Sequence, residues 1–329
     1  MNKQVWLSVA GLLALAALFL AELSTGSLLI SFTTVWSSLW GDRATDDHWV
    51  VATIRLPRAC IAMAVGAGMA VAGACLQSLT RNSLASPELL GVNQGAAMAI
   101  VIAMFAMPGS ALWLYNLSAF AGGCLAASFI FALGTAGRRA LNPMRFILAG
   151  TAISMFIHSL TQGVLVLNER TVDEMRFWLA GSVTGRGMEP LLQTLPVIVS
   201  GLICTLLLGK RMNVLQMGDE VAAGLGNNIR ASKAMLFFVS ALLASACVTL
   251  AGPIAFIGLA APHLVRSFAG SDYRWIVLHS IWFGAVLLLA ADIAGKLIRH
   301  PGEVPVGIMT ILFGAPFFIY AARKKEEPA

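Results

Sequence analysis

Charge is scarce in this sequence. Only 12% of its 329 residues are Asp, Glu, Lys or Arg, while 58% are hydrophobic. A soluble domain carries about 25% charge, and a mean hydropathy of +0.81 excludes a water-soluble enzyme. Cysteine is equally uninformative: Cys60, Cys75, Cys124, Cys204 and Cys247 lie in apolar runs without CxxC spacing. Their odd number prevents complete pairing, so they read as small buried hydrophobes. No G-x-x-x-x-G-K-[ST], G-x-S-x-G or H-E-x-x-H occurs. The five histidines, including His263 after Pro262 with Arg266 nearby, show no metal-ligand spacing. The chain is therefore expected to hold no metal or cofactor, to have no P-loop of its own and to carry no enzymatic chemistry.

What is present is a series of long apolar runs. Residues 4–21, 59–80, 146–168, 190–209 and 304–322 are charge-free and each long enough for one crossing. Residues 89–137 form a 49-residue run that the turn signal Met107-Pro108-Gly109-Ser110 divides. Residues 234–265 divide at Gly252-Pro253, and residues 275–298 add another segment. The expectation is an all-α, polytopic membrane protein with about ten transmembrane helices, the eighth (residues 253–269) being the shortest. Residues 1–329 form one transmembrane domain, since no loop is long enough for another. The first run exceeds the h-region of a signal peptide and no clear A-x-A follows, so it reads as a retained helix. With both termini inside, 14 Lys and Arg fall on the inner side and 8 on the outer. This is the positive-inside pattern, and it accounts for the net charge of +6 without nucleic acid.

Several residues require a specific reason. Arg55-Leu56-Pro57-Arg58 opens the second span on the expected outer face. Two cations there oppose the helix dipole at about 0.3–1 kcal/mol each. They suit either an acidic partner or lipid phosphates. Asp292 is the one acid read as lying well inside a span, and Lys296 follows on the same helix face. A local ion pair is the expected arrangement. Leu215–Gly226, on the inner side, is too short to span and opens with Asp219 and Glu220. Gly224 and Gly226 are expected to end it, giving a short interfacial or partner-docking helix. Ala62, Gly66, Ala70 and Ala74 form a small-residue stripe that favours close helix packing in lipid.

Ordered landmarks then define a resemblance. They are Arg55–Arg58, Asn82–Asn93, Ile147–Gly150, Trp178–Ser182, Gly218-Asp219, Leu225-Gly226, Ala251–Gly258, Pro262-His263, Ala291-Asp292 and Val304–Gly307. Together they resemble the permease subunits of ABC importers for iron–siderophore complexes and vitamin B12. The resemblance implies a type II ABC importer permease in the cell inner membrane, with both termini cytoplasmic. Its implied partners are a second permease chain, the same or homologous, a cytosolic P-loop ATPase dimer and a periplasmic or lipoprotein substrate-binding protein. Membrane lipid surrounds the assembly. By resemblance, Arg55, Arg58 and Lys296 are expected to dock the binding protein, lysine standing where the family has arginine and losing its fork. Asn82 and Leu84 are expected at a cytoplasmic gate, with Ser83 where the family has proline. Asn142, Pro143 and Met144 form the second gate segment. Leu215, Gly218, Asp219, Glu220, Ala223, Gly224, Leu225 and Gly226 match the segment that couples to the ATPase. The motif wording is similar to the ferric-siderophore and ferric-citrate branch, with vitamin B12 or haem as alternatives. The implied mechanism is alternating access driven by the partner's ATP cycle. A proton-coupled secondary transporter using Asp292 and an intramembrane enzyme are the competing classes.

Overall fold

The computed structural model describes residues 2–41, 44–135, 143–167, 172, 175, 178–299 and 302–324. Every regular element among them is helical. The chain begins with α1 (Asn2–Ser24), α2 (Phe32–Leu39) and α3 (Asp46–Val50). One π-helical turn, Val51–Arg55, carries α3 directly into α4 (Leu56–Thr80). A 3-10 turn at Pro87–Leu90 leads to α5 (Val92–Ala106), α6 (Leu112–Gly134) and α7 (Pro143–Val166). Then come α8 (Met188–Gln216), α9 (Asp219–Gly224), α10 (Ile229–Ala251), α11 (Ile257–Ala269), α12 (Tyr273–Ile298) and α13 (Val306–Lys324).

The punctuation follows residue chemistry. Met107–Ser110 separates α5 from α6, and Gly252-Pro253 ends α10. Side-chain caps start three helices: Ser31 accepts from the Thr34 N–H, Asn228 from Ala231 and Asp272 from Arg274. Seven helices among the described residues are long and apolar enough to cross a membrane, so length and apolarity alone do not confirm the expected ten. Val92–Ala106 and Val306–Pro316 are shorter apolar helices. α11 has 13 residues, about 20 Å of helix, against a hydrocarbon core of about 30 Å.

α4 is the central rod. It packs against α8, α10, α11 and α12, and most of its residues are buried. The small-residue stripe explains the closeness. A Cβ at Gly66 would run into the backbone of Gly284 and Ala285 on α12. Another Cβ, at Gly73, would run into Gly258 on α11. Bilayer lipid supplies no hydrophobic drive between helices, so this close backbone approach is a main source of attraction. From Arg58 to Arg81, α4 spans about 35 Å at 1.5 Å per residue, and it separates two charged regions.

Candidate functional site: two charged ends of one helix

At the first end, Arg58 grips two carboxylates. Its Nε donates to Asp292 Oδ2 at 2.6 Å and one terminal nitrogen to Asp292 Oδ1 at 2.9 Å. The other terminal nitrogen donates to Glu303 Oε2 at 2.6 Å. Glu22 Oε1 of α1 lies 3.6 Å from the Arg58 Nε and pairs with the Lys296 ammonium. Lys296 also reaches the Glu22 and Thr25 carbonyls, each at 3.4 Å. Arg55 donates to the carbonyls of Leu23 at 2.9 Å and Leu28 at 2.5 Å. Thus α1, α4, α12 and the loop holding Glu303 are tied into one ionic cluster. The forked Arg58–Asp292 contact is the strongest geometry available to such a pair.

This arrangement corrects two expectations and bears on the exposure of the residues in a third. Asp292 and Lys296 are not each other's local pair: Arg58 holds the first and Glu22 the second. Same-face spacing weighed one helix in isolation, whereas neighbouring spans supply better partners. Nor do Arg55 and Arg58 stand at a helix N-terminus. The helix starts at Asp46, and the π turn accommodates Pro57, which has no N–H to donate. Finally, Arg55, Arg58 and Lys296 are 5%, 5% and 4% exposed. None of them stands as a free surface cation for an acidic partner in this arrangement. Sequence reasoning missed Glu22 because it sits one residue beyond a charge-free run. It missed Glu303 because an acid in a loop carries no signal of its own.

Next to this cluster, three separate landmark motifs converge. The Ser182 N–H donates to the Ala251 carbonyl at 2.8 Å, and the Gly307 N–H to the Gly181 carbonyl at 2.9 Å. Gly181 has φ +68 and faces the Pro253 carbonyl. Only glycine combines that backbone with such an approach. Thr184 joins this node to the cluster by donating to Glu303 Oε2 at 3.4 Å.

At the opposite end, α4 stops at Arg81, whose φ of 51 places it in the left-handed region. Asn82 Oδ1 accepts from the Leu84 N–H at 3.0 Å, closing a side-chain turn. A cavity of about 270 Å³ opens beside this loop, lined by Leu84, Ser86, Glu88, Phe256 and Leu259. Pro143 and Met144 begin α7, whereas Asn142 lies outside the described residues.

The loop after α4 is tied to α9. Arg81 Nε donates to the Leu215 carbonyl at 2.8 Å, and the Arg81 guanidinium pairs with Asp219. Lys233 Nζ, from α10, is 2.7 Å from the other Asp219 oxygen. Gln216 donates to the Ser78 carbonyl at 3.0 Å. Burial alone would raise the Asp219 carboxyl, but Lys233 and Arg81 outweigh it and hold it below its usual range. α9 closes with the Asn227 N–H on the Ala222 carbonyl and the Gly226 N–H on Ala223. This is a Schellman stop with Gly226 at φ +76. Gly224 is the last residue of the helix, so both expected glycines stand at its end. Ala222 faces inward, while Met217, Val221 and Leu225 are exposed beside the exposed Glu220, Ala223 and Gly224. Nothing lies within 4 Å of a Cβ built at Gly224.

Comparisons with known proteins cover nearly the whole chain. It is 40% identical to "Probable siderophore transport system permease protein YfiZ" of Bacillus subtilis, over 89% of this chain and 88% of that protein. It is 36% identical to the ferric enterobactin transport system permease protein FepD of Escherichia coli, over 97% and 96% of the two chains. A solved inward-facing structure of a chain assigned as a metal-chelate type ABC transporter superposes with a TM-score of 0.85 and 26% identity. That match covers 96% of this chain and 98% of the other. Residues 13–324 match the model of the FecCD transport family, so this polytopic membrane protein belongs to the FecCD transport family.

Proposed function

We propose that this chain is the permease subunit of an ABC importer moving an iron(III)–siderophore or ferric-citrate-type complex inward by alternating access. The observation that carries this reading is the breadth of the likeness. Relatives matched over most of their length are named as siderophore, Fe(3+)-citrate and enterobactin permeases. A permease named for hemin is 37% identical, so haem stays in the test, together with vitamin B12.

The Arg81 end faces the cytosol in this proposal, consistent with the excess of Lys and Arg counted there. A P-loop ATPase dimer docks on α9, where Met217, Val221 and Leu225 offer uncovered apolar side chains. Its movement reaches the gate at Asn82 and Leu84 through the Arg81–Asp219 contact. Asn142, Pro143 and Met144 supply the second gate segment. A substrate-binding protein delivers the complex at the Arg58 end, using surface other than the buried Arg55, Arg58 and Lys296. A second permease chain covers α7, whose exposed face holds His158, Ser159 and Gln162. Hydrocarbon would leave those polar groups unsolvated. Asp292 is a poor proton relay, because Arg58 already donates two charged hydrogen bonds to it.

The test is uptake in a deletion strain carrying this chain. Radiolabelled ferric citrate and ferric siderophores are compared with haem and vitamin B12. Uptake of an iron chelate that stops when ATP is depleted supports the proposal. Uptake that follows the proton gradient without ATP overturns it.

A further inference from the structure

The connector between α1 and α4 carries an apolar face that nothing else among the described residues covers. Phe32 and Trp36 on α2 and Trp40, which caps its C-terminus, are 55%, 51% and 76% exposed and spaced four residues apart. Phe32 stacks on Trp36 with ring centroids 6.4 Å apart, and Trp36 meets Trp40 edge-on at 6.1 Å. Leu28, Leu29 and Trp49 in the same connector are exposed as well. The opposite face of α2 is anchored: Val35 and Ser38 are buried. Ser37 Oγ lies 2.9 Å from His48 Nε2, and Ser38 Oγ donates to the His48 carbonyl at 3.0 Å. The helix is thus held rigidly with its aromatic ladder turned outward.

Two observations identify what covers the ladder. The first is position. The Ile30 N–H donates to the Ser24 carbonyl at 3.1 Å. The linker therefore folds back, and α2 starts beside the last turn of a membrane-spanning helix. On its other side, α3 runs without a break into the span that contains α4. The second is chemistry. Residues 25–41 contain no charged side chain, so the patch offers nothing to complement a charged protein surface. Tryptophan combines an apolar body with an N–H donor, the combination favoured at the boundary between acyl chains and headgroups. A contiguous apolar patch of this kind is unusual on a surface facing bulk water.

We propose that α2 lies in the membrane plane at the end of the bundle where α1 finishes. Phe32, Trp36 and Trp40 are immersed at the headgroup–acyl boundary, within about 5–10 Å of it. The partner is a lipid surface. Because α2 has no cation, zwitterionic lipid suffices and anionic lipid adds nothing. Embedded in this way, the ladder fixes the depth and tilt of α1, and with them the Glu22 carboxylate that the ionic cluster holds.

The test uses the full chain in vesicles of zwitterionic phosphatidylcholine. The fluorescence of a Trp36→Phe/Trp40→Phe variant is subtracted from that of the wild type to isolate the two indoles. Phe retains the aromatic packing, and an unchanged melting profile confirms that the variant folds. Lipids brominated near the headgroup end of the acyl chain should quench the difference signal about twofold more than lipids brominated near the methyl end. Aqueous iodide should have little effect. Two results would overturn the proposal. One is a difference signal quenched by iodide and by neither bromolipid. The other is iodide access that disappears only when a substrate-binding protein or a second permease chain is added.

Discussion

Arg58 and Arg81 occupy opposite ends of α4, and each pairs with an aspartate from a distant part of the chain. Their surroundings differ. Arg58, Asp292, Glu22 and Lys296 are all buried, and their charges are matched by one another and by backbone carbonyls. Arg81 and Asp219 are each more than a third exposed at the side chain, beside uncovered apolar residues of α9. Similar chemistry therefore serves different ends. A buried charge stripped of its partner costs about 3–5 kcal/mol, so the first cluster acts as a structural lock. An exposed pair contributes about 0–1 kcal/mol, so the second can open and reclose cheaply, as the proposed coupling contact would have to.

The largest expected effect comes from breaking the lock. Arg58→Ala leaves Asp292 and Glu303 without their main partner and should destabilise the chain by about 3–5 kcal/mol. Asp292→Asn keeps the shape and should cost less, about 1.5–3 kcal/mol. Thermal unfolding of the detergent-purified protein measures both. An Arg58→Ala variant melting with the wild type would show that the two ends do not differ as argued.

Gly224→Trp should show the reverse pattern. Gly224 is exposed and a Cβ there meets nothing within 4 Å, so stability should stay within about 0.5 kcal/mol of wild type. Uptake should nevertheless be abolished, because a bulky group keeps a docked partner away from α9. Normal ATPase co-purification together with normal uptake would reduce α9 to a connector.

Different parts of this picture were legible in the sequence to different degrees. The helix breaks at Met107–Ser110 and Gly252-Pro253 were readable because turn residues act locally. So was the buried stripe Ala62, Gly66, Ala70 and Ala74, which depends only on helical periodicity. The ionic cluster was not readable. Glu22, Arg58, Asp292 and Glu303 are brought together by tertiary packing of elements up to 281 residues apart in sequence. Local spacing therefore paired Asp292 with the wrong cation. The start of α4 was misplaced for a related reason. Pro57 reads as a first-turn residue, and nothing in the sequence marks the π turn that lets the helix begin at Asp46. The α9 segment was legible in position and polarity, yet its tie to Arg81 crosses 138 residues and has no sequence signature.

Arg81→Ala sharpens the comparison further. Losing a pair exposed by more than a third should lower stability by no more than about 1 kcal/mol. The Leu215 carbonyl and Asp219 would keep water and Lys233 as partners. The effect should appear in coupling: the ATPase stays bound, and the amount of substrate moved per ATP falls. Parallel measurement of uptake and ATP hydrolysis in vesicles gives that ratio. An unchanged ratio would mean that the proposed gate at Asn82 and Leu84 receives its movement by another route.

The smallest effect is the pH response of the Asp219 link, and its sign follows from the shift. Lys233 and Arg81 hold this carboxyl below its ordinary value of 3.8, against the upward push of partial burial. A carboxyl with a depressed folded-state pKa contributes stability that is fully present above the unfolded value. That contribution is lost as pH falls through the folded one. The stability difference between wild type and Asp219→Asn should therefore be flat from about pH 5 upward and shrink only below about pH 4. Taking the difference removes the other carboxylates that titrate in the same range. Salt should reduce it as well, because the pair is exposed enough to be screened. A difference that instead changed between about pH 6 and pH 8 would place a histidine or an uncompensated buried charge in the link. The Arg81 end would then resemble the Arg58 end, and its suitability for movement would need another origin.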